Sequence, residues 1–376
     1  MDSVAQPVRF CYAAAAFGLE GLVADELKRI GMQDVRAENG GVRFAADTAD
    51  LFRCNLLSRF SDRMFMLLAE GECRTFEDLF QLVSGVSWET LADGTEAFNI
   101  SAKCVRSQLM SPRDCQSVTK KALLERLKKN TRRNIFPEKG ADFPVQVSLR
   151  NDHALVLLNT SGASLSRRGY RTWNGEAPLR ETLAAALVAL SPWRPGLPLH
   201  DPCCGTGTIP IEAALMQLNR APGRSRAFAM ESFAFSASAG LDQIRLSCRE
   251  TEQAPQETFL SGSDMDPEPL ELARRHLRQA DLSGVVSFEC LPLQQLSLPQ
   301  DRGVMICNPP YGERLENQTS CRQLYRDLGI LKARHPGWSL CAITSDPAFE
   351  RFFGKRADKK RRLYNGRLEC TYYIYR

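Results

Sequence analysis

The spacing of hydrophobic residues predicts alternating strands and helices in the first part of the chain. Residues 8–14 have the composition of a strand, and hydrophobic residues then recur at helical spacing over 20–30. The glycine pair at 40–41 lies between alternating hydrophobic residues, which is typical of a β-hairpin. This region, residues 1–70, is therefore predicted to be a small α/β unit.

A second α/β pattern follows over residues 71–166. Thr75 precedes an acidic and then apolar run, which predicts a capped helix start. Residues 98–103 and 145–149 alternate as strands do, and 154–158 form an apolar strand. Between them, 114–129 predict a helix with an apolar face turned inward and lysines turned outward.

The pattern changes over residues 167–376, where long helical periods alternate with short apolar strands. Such alternation favours a parallel sheet covered by helices on both faces. Residues 225–238 and 250–256 are expected to be insertions or loops within this domain.

Composition places the protein in a reducing compartment. No apolar run reaches the length of about 18 residues that a membrane span needs. The early apolar stretch FCYAAAAFGL lacks the basic residues of a signal peptide and continues into a helix. The 13 cysteines contain no Cys-x-x-Cys pair, so a cytoplasmic protein without a metal site is expected.

Charge is distributed unevenly along the chain. The net charge is +5, but residues 101–180 hold 16 Lys and Arg against 6 Asp and Glu, a balance of +10 that leaves −5 for the remainder. A polyanionic partner and a solvated helix surface both explain this segment, whose clearest basic helix covers 120–133.

The sequence PLHDPCCGTGTIPIEAAL predicts a strand, a glycine turn and a helix. Asp201 ends the strand, Gly205 and Gly207 form the turn, and the helix starts near Thr208. Pro210 replaces the third glycine of the dinucleotide fingerprint. Glycines let the backbone approach a ligand closely. An acidic strand end suits the amino group of a methionine moiety and repels a pyrophosphate, which favours S-adenosylmethionine over NAD.

A second cofactor signal is FLSGSD. Asp264 ends that strand, where it is placed to accept hydrogen bonds from both ribose hydroxyls, and Asp266 is predicted to cap the next helix. An ordinary α/β loop would explain either turn alone, but their order favours a cofactor site. Cys203 and Met265 complete the predicted cofactor-binding set.

The sequence VMICNPPYGERL predicts a buried strand that ends in the candidate catalytic motif. An exocyclic amine on a base is a poor nucleophile, and its N–H groups need fixed acceptors. The Asn308 side chain and the Pro309 carbonyl can supply them, since Pro309 and Pro310 fix the backbone. Tyr311 offers a ring for stacking on an extruded base. This chemistry requires no metal and no covalent nucleophile.

Together these motifs resemble a known family. The resemblance also includes AAAAFGLEGLVADELKRIG, FEDLFQLVSGVSWETL, KCVRSQLMSPRDCQSVTKKALLERLKK, SGASLSRRGYR and APLRETLAAAL. The sequence is similar to bacterial THUMP-domain methyltransferases, which include the large-subunit rRNA guanine-N2 methyltransferase and proteins labelled N6-adenine-specific DNA methylases. This resemblance implies an N-terminal ferredoxin-like unit, a THUMP RNA-binding domain and a Rossmann-like class I methyltransferase domain. It also implies that Arg180 approaches the methionine end of the cofactor.

The THUMP resemblance implies a structured RNA partner, most simply rRNA. From the basic segment we expect phosphate contacts by five side chains, Lys103, Arg106, Lys120, Lys121 and Lys128.

Two departures from the family pattern affect the cofactor site. Pro292 stands where such domains commonly carry an Asp that contacts the adenine of the cofactor. Either a backbone group or a neighbour such as Gln294 compensates, or cofactor binding is weaker. Cys203 and Cys204 replace bulkier residues and are interpreted as packing.

The leading hypothesis is an rRNA guanine-N2 methyltransferase. A tRNA guanine-N2 methyltransferase, an adenine-N6 methyltransferase on RNA or DNA, and a non-catalytic RNA-binding assembly factor remain alternatives. Three residues after the catalytic motif, Gly312, Glu313 and Arg314, are candidates for base discrimination.

Overall fold

The computed structural model describes residues 8–131, 133, 135–171, 179–254, 259–311 and 318–376. They segregate into two compact units. Unit 1 comprises residues up to Ala15, Val23–Leu165 and Ala227–Ser247; unit 2 comprises Ala16–Leu22, Ser166–Arg226 and Cys248–Arg376.

Unit 1 is built on one seven-stranded sheet of order β2-β3-β1-β4-β7-β6-β5. Its elements are β1 (Arg9–Ala14), most of α1 (Glu20–Ile30), β2 (Gln33–Glu38), β3 (Gly41–Ala46), α2 (Thr48–Leu57), β4 (Arg63–Glu72), α3 (Phe76–Ser84), β5 (Ala97–Val105), α4 (Pro112–Thr131), β6 (Asp142–Arg150) and β7 (His153–Asn159). The early strand, the helix over 20–30, the hairpin and the later strands are confirmed.

The strand β4 joins the two N-terminal regions that the sequence pattern separates. It pairs antiparallel with β1 on one side and with β7 on the other. Both regions therefore share one continuous sheet, and the predicted boundary at residue 70 lies within β4.

The helix α3 starts as predicted. The Thr75 hydroxyl accepts a hydrogen bond from the Asp78 N–H at 3.1 Å, and the Asp78 carboxylate accepts one from the Thr75 N–H at 2.8 Å. This reciprocal capping box satisfies two of the donors that a helix start leaves free. In α4, Ala122 and Leu123 are buried while the lysines are exposed, which confirms the predicted helix faces.

Unit 2 contains a second seven-stranded sheet of order β10-β9-β8-β11-β12-β14-β13. Its elements are α5 (Glu181–Leu190), β8 (Leu199–Asp201), α6 (Thr208–Gln217), β9 (Leu260–Asp264), α8 (Pro267–Gln279), β10 (Val286–Cys290), β11 (Gly303–Cys307), α9 (Gln318–Arg334), β12 (Trp338–Thr344), α10 (Phe349–Phe353), β13 (Lys359–Asn365) and β14 (Leu368–Tyr375). A further helix, α7 (Leu241–Glu250), was not predicted from the sequence; it belongs to unit 1 as far as Ser247 and to unit 2 from Cys248.

The order of the unit 2 sheet positions its functional edge. The strands β8, β9, β10, β11 and β12 are parallel, and β14 and β13 add an antiparallel hairpin at one side. The chain order reverses between β8 and β11, which creates a crevice beyond their carboxyl ends. The predicted α/β class is confirmed, and β11 is buried over its whole length as expected.

No helix in the described part of the chain is both long and apolar enough to cross a membrane.

The histidine on β8 is part of the interior of this sheet. His200 is buried, with Nδ1 at 2.8 Å from the Ser261 hydroxyl and Nε2 at 3.0 Å from the Ser263 hydroxyl. Burial lowers the pKa of His200 from 6.5 to about 4 because the charged imidazolium would lose its hydration. The neutral ring therefore contributes stability that is fully present above pH 6.5 and lost as the pH falls toward 4.

We expect His200→Asn to flatten the pH dependence of folding. Between pH 7 and 5 the wild type should lose about 2 kcal/mol of unfolding free energy through this group, and the variant should not. Urea unfolding of both proteins at the two pH values measures the difference. Equal pH dependence of the two proteins would contradict the assigned shift.

Candidate active site

The carboxyl ends of β8 and β11 open on one cavity of about 540 Å³. Asp201 ends β8, Asn308 follows β11, and both line this cavity. Its other lining residues are Leu179, Cys203, Cys204, Gly205, Thr206, Thr208, Ile209, Asp266, Glu268, Pro269 and Leu272. The two separate sequence motifs, which lie about 100 residues apart, thus meet at the switch in strand order.

Gly205 presents its backbone to the cavity. Its φ is 49°, and a Cβ added there would meet no atom within 4 Å. The Gly205 N–H donates to Asp264 Oδ2 at 2.8 Å, which ties the glycine turn to the end of β9. This geometry leaves room for a ligand directly over the turn, in agreement with the expected close approach.

Gly207 is required for a different reason from the one expected. Its φ is 76°, and a Cβ would lie 2.6 Å from Cζ of Phe288 and 3.0 Å from Cβ of Ala273. The glycine therefore permits a left-handed turn at the start of α6 and close packing inside the protein. The conformation and packing of Gly207 explain the glycine without a ligand in contact with it.

Asp201 is a buried carboxylate at the cavity wall. Its Oδ1 accepts a hydrogen bond from the Cys203 N–H at 3.1 Å. Burial raises the pKa of Asp201 well above its usual value, and the negative charge of Asp264 raises it further. A cationic group in the cavity would offset both effects and favour the ionised carboxylate.

The end of β9 organises two backbone turns. Asp264 accepts from the Gly205 N–H through Oδ2 and from the Asp266 N–H through Oδ1, the latter at 3.1 Å. A carboxylate has about four acceptor directions, so two remain for a ligand. Asp266 caps α8 by accepting from the Glu268 N–H at 3.0 Å, as predicted.

The paired cysteines lie beside this turn. Cys203 lines the cavity, and Cys204 packs against Gly262, where a Cβ would come within 2.8 Å of the Cys204 Cβ. All thirteen cysteines are free thiols. Among the described residues, no group of three or more His, Cys, Asp or Glu side chains has the arrangement of a metal site.

A chain of hydrogen bonds holds the side chain of Asn308. The Tyr311 hydroxyl donates to Asn308 Oδ1 at 2.5 Å, and the Asn365 amide Nδ2 donates to the Tyr311 hydroxyl at 3.3 Å. Burial raises the pKa of Tyr311, so the phenol stays protonated and able to donate. The chain fixes Oδ1 as the accepting atom of Asn308 and leaves its second lone pair open.

The carbonyl of Pro310 is held separately. The buried Tyr325 of α9 donates its hydroxyl to this carbonyl at 3.1 Å and lies 3.3 Å from the hydroxyl of Thr344 at the end of β12. Burial raises the pKa of Tyr325 to about 12, which keeps the hydroxyl available as a donor. The backbone after β11 is thereby fixed from two sides.

Arg171 supports the opposite wall of the cavity, although the sequence argument assigned it no role. Its guanidinium donates to the Leu179 carbonyl at 3.2 Å and to the hydroxyl of Thr208. The Glu181 carboxylate lies 3.5 Å from its Nε. The motif SGASLSRRGYR, which the family resemblance highlighted, was the only signal for this residue.

Several expected site residues lie at the margin of the cavity. Arg180 precedes α5 and Met265 follows β9; both are exposed, and neither lines the cavity. Pro292 starts a short 3₁₀ turn, and Gln294 donates its side-chain amide to Asp327 at 2.7 Å. The candidates Gly312, Glu313 and Arg314 lie outside the described residues.

The five basic residues expected to contact RNA do not share one surface. All are exposed. Cys104 of β5 faces Cys115 of α4, with 3.9 Å between the sulfurs, so its neighbour Lys103 points to the other side of the sheet. There Lys103 lines a cavity of about 410 Å³ with Gln146 and Ser148 of β6. The lysines of α4 lie on the opposite side of the same sheet.

Comparison with known families matches each part of the chain. The RlmL ferredoxin-like domain matches residues 11–65, the THUMP domain matches 73–159, and the RMKL-like methyltransferase domain matches 168–374.

Whole-chain relatives agree with these matches. YpsC of Bacillus subtilis, provisionally named an RNA methyltransferase, is 36% identical over 96% of this chain and 94% of its own. The Ribosomal RNA large subunit methyltransferase K/L of Psychromonas ingrahamii is 34% identical over 97% of this chain. This chain covers only 50% of that relative and so spans about half its length.

A solved structure identifies the cofactor class. SMU.472, described as a methyltransferase and crystallised with S-adenosylhomocysteine, superposes with a TM-score of 0.92 at 38% identity. The match covers 99% of this chain and 98% of that one. The chain belongs to the RMKL-like family of THUMP-domain methyltransferases and uses S-adenosylmethionine.

Proposed function

We propose that this protein methylates RNA, at the exocyclic N2 amine of a guanine in large-subunit rRNA. The observation that carries the proposal is the meeting of Asp201 and Asn308 at one cavity. Asp201 suits the cationic end of the methyl donor, and Asn308 suits a nucleophilic amine. Their placement on adjacent parallel strands brings donor and acceptor together, which is the main requirement for direct methyl transfer.

The cofactor is proposed to bind along the ends of β8 and β9. Asp201 pairs with the amino group of the methionine moiety, and the Gly205 backbone lies against the cofactor. Asp264, which is bonded to the Gly205 N–H beside the cavity, holds the ribose through its free acceptor directions. Cys203 and Thr208 form the adjacent wall, and Gly207 shapes the turn. Bound there, S-adenosylmethionine supplies an electrophilic methyl group. Arg180 and Met265 remain in the proposed set as residues at the rim.

The catalytic motif is proposed to hold the target amine. Asn308 Oδ1 offers one lone pair and the Pro309 carbonyl offers another, so two N–H groups can be bound as the nitrogen becomes tetrahedral. Tyr311 orients the Asn308 amide through its hydroxyl and presents its half-buried ring to a base. Pro310 fixes the backbone, and its carbonyl is already occupied by Tyr325.

RNA is the favoured substrate because a THUMP domain and exposed basic residues accompany the methyltransferase domain. The assignment to large-subunit rRNA is supported by the names of the K/L relatives. The assignment to guanine N2 is supported by the family resemblance of the sequence. A tRNA guanine-N2 enzyme, an adenine-N6 enzyme on RNA or DNA, and a non-catalytic RNA-binding factor are the competing assignments. The intact Asp201, Gly205 and Asn308 oppose the last of these.

We expect Asn308→Ala to abolish methylation in the host. In a strain that lacks the gene, the wild-type protein should restore N2-methylguanosine to large-subunit rRNA, and the variant should not. In vitro the variant should lose about 100-fold or more in kcat because one fixed acceptor is gone. Nucleoside mass spectrometry of purified rRNA and tRNA provides the measurement, and calorimetry with S-adenosylhomocysteine checks that the cofactor site is intact.

Each alternative gives a different result in this experiment. Loss of N2-methylguanosine from tRNA alone would replace rRNA with tRNA as the substrate. Loss of N6-methyladenosine would change the base while leaving the catalytic motif in place. No change in any methylated nucleoside would support the non-catalytic factor.

We expect Tyr311→Phe to separate orientation from stacking. Removing the hydroxyl frees the Asn308 amide to rotate, so kcat should fall about tenfold while KM for RNA stays within about twofold. Tyr311→Ala should raise KM as well, because the ring is lost. Asn365→Ala should lower kcat in the same direction as Tyr311→Phe. Steady-state kinetics of the three variants measures these effects. A fully active Tyr311→Phe protein would show that the Tyr311 hydroxyl does not orient Asn308 for catalysis.

We expect cofactor affinity to rise with pH through Asp201. Because the pKa of Asp201 is raised in the free protein and a bound cation would lower it, binding should release a proton. Affinity for S-adenosylhomocysteine should therefore increase as the pH rises through the range in which the Asp201 carboxyl of the free protein loses its proton, and Asp201→Asn should bind more weakly with a flat profile. Calorimetry in two buffers of different ionisation enthalpy measures both effects. A wild type with a flat profile would contradict the proposed contact.

A further inference from the structure

The edge strand of the unit 2 sheet and the residues that flank it form a strongly basic surface. Residues 355–367 contain seven Lys and Arg residues and one Asp. All seven are exposed: Lys355, Arg356, Lys359, Lys360, Arg361, Arg362 and Arg367. We call these seven side chains the β13 basic edge. None of them was among the expected RNA-binding residues.

Few of these seven side chains form an ion pair with a described residue. Lys360 pairs with Glu350 at 2.5 Å, and Arg362 lies 3.9 Å from Glu369. Within the described part of the chain, the other five side chains have no carboxylate within 4 Å. Like charges held this close together repel one another, so the arrangement is unfavourable for the free protein and favours an anionic partner.

The β13 basic edge leads to the candidate catalytic motif. β14 is antiparallel to both β12 and β13, so β13 runs in the same direction as β12. Because β12 is parallel to β11, β13 also runs in the same direction as β11. Its carboxyl end therefore lies at the same edge of the sheet as Asn308, and Asn365 there donates to Tyr311. From Lys359 to Asn365 the strand covers about 20 Å, enough for several nucleotides.

Aromatic side chains lie at the face of β13 that carries Lys360 and Arg362, because side chains alternate along a strand and Tyr364 shares that face. Phe17, which belongs to unit 2 and is 47% exposed, lies edge-on to Tyr364 with 5.6 Å between ring centroids. The Arg362 guanidinium lies 5.4 Å from the centroid of the Phe17 ring. Aromatic rings interleaved with basic groups are the combination that binds single-stranded nucleic acid, since bases stack while phosphates pair with cations.

We propose that the β13 basic edge binds the backbone of the RNA strand next to the target nucleotide and guides it to the Asn308 pocket. The contact is independent of sequence because phosphates are recognised by charge, and Phe17 with Tyr364 offers a platform for a flanking base. This inference rests on the proposed function, since it assumes an RNA substrate.

A different role for these charges is protection of an exposed sheet edge. Lysines on an edge strand prevent pairing with other chains. Protection predicts that neutralising the charges increases self-association and leaves RNA affinity unchanged. Phosphate binding predicts weaker affinity with a shallower dependence on salt.

The test compares two triple variants of the full chain with equal net charge. Lys359→Gln, Arg361→Gln and Arg367→Gln remove three edge charges that form no ion pair with a described carboxylate, while Arg194→Gln, Arg249→Gln and Arg278→Gln remove three exposed arginines elsewhere in unit 2. The probe is a fluorescein-labelled single-stranded RNA of about 20 nucleotides, titrated from 50 to 300 mM KCl, with S-adenosylhomocysteine calorimetry as the folding control.

The edge variant should reduce the slope of log affinity against log salt by about 2, from three contacts at about 0.7 each. Its affinity at 0.1 M salt should fall by up to about 100-fold, and the control variant should match the wild type. An unchanged slope in the edge variant overturns the inference, as does increased self-association at an unchanged slope. If the wild type does not bind the RNA, both this inference and the proposed RNA substrate fail. If it binds with an edge-dependent slope but no nucleoside changes in the host, only the proposed methylation fails.

Discussion

The parallel pairing of β8 with β11 is the constraint on which the candidate site depends. Val304 pairs with Leu199 and Met305 with His200, so the two strands end side by side and Asp201 is brought to the same cavity as Asn308. The interior of the sheet supports this register, since β11 is completely buried and His200 is held as a neutral ring between two serines. A shift of either strand by one residue would turn these side chains to the wrong face.

Around this pairing, polar groups are held by partners outside their own motifs. Asp264 accepts from two turns at once, so the loops after β8 and β9 keep one relative position. Tyr311 orients Asn308, and Tyr325 holds the Pro310 carbonyl. Each bond removes a freedom that a flexible loop would otherwise have to lose at the moment of reaction, which is why fixed acceptors stabilise developing charge better than mobile ones. A loop with two prolines is suited to this role, because its backbone is already restricted before any tertiary contact forms.

The parts of the structure that could be predicted from the sequence are those encoded locally. The helix cap at Thr75, the acidic strand end at Asp201 and the motif at Asn308 each depend on a few adjacent residues. The supporting contacts do not: Tyr325 reaches Pro310 across 15 positions, Arg171 reaches Thr208 across 37, and Asn365 reaches Tyr311 across 54. Such pairs are created by sheet order and helix packing, which the local pattern does not specify. The shared sheet of unit 1 has the same origin, because periodicity shows that β4 is a strand but not that it pairs on both sides. The roles of the cofactor-binding and catalytic residues stay predictions until the variants are measured.

Electrostatic attraction between a protein and RNA acts at short range, so the average charge of a long segment does not locate every anion-binding surface. Residues 101–180 carry +10 and the remainder carries −5, yet that remainder includes 355–367, where seven basic residues accompany a single acid. At physiological salt the field of a surface charge decays over about 8 Å, so a phosphate responds to the few side chains around it and not to the balance of a domain. A segment that is acidic on average can therefore present a local anion-binding surface. What decides is whether the cations have carboxylate partners, and five of the seven have none within 4 Å among the residues that the structure describes. The proposed path of RNA along β13 depends on this local charge, because the strand ends beside Tyr311 and a nearby phosphate would be attracted to the exposed cations.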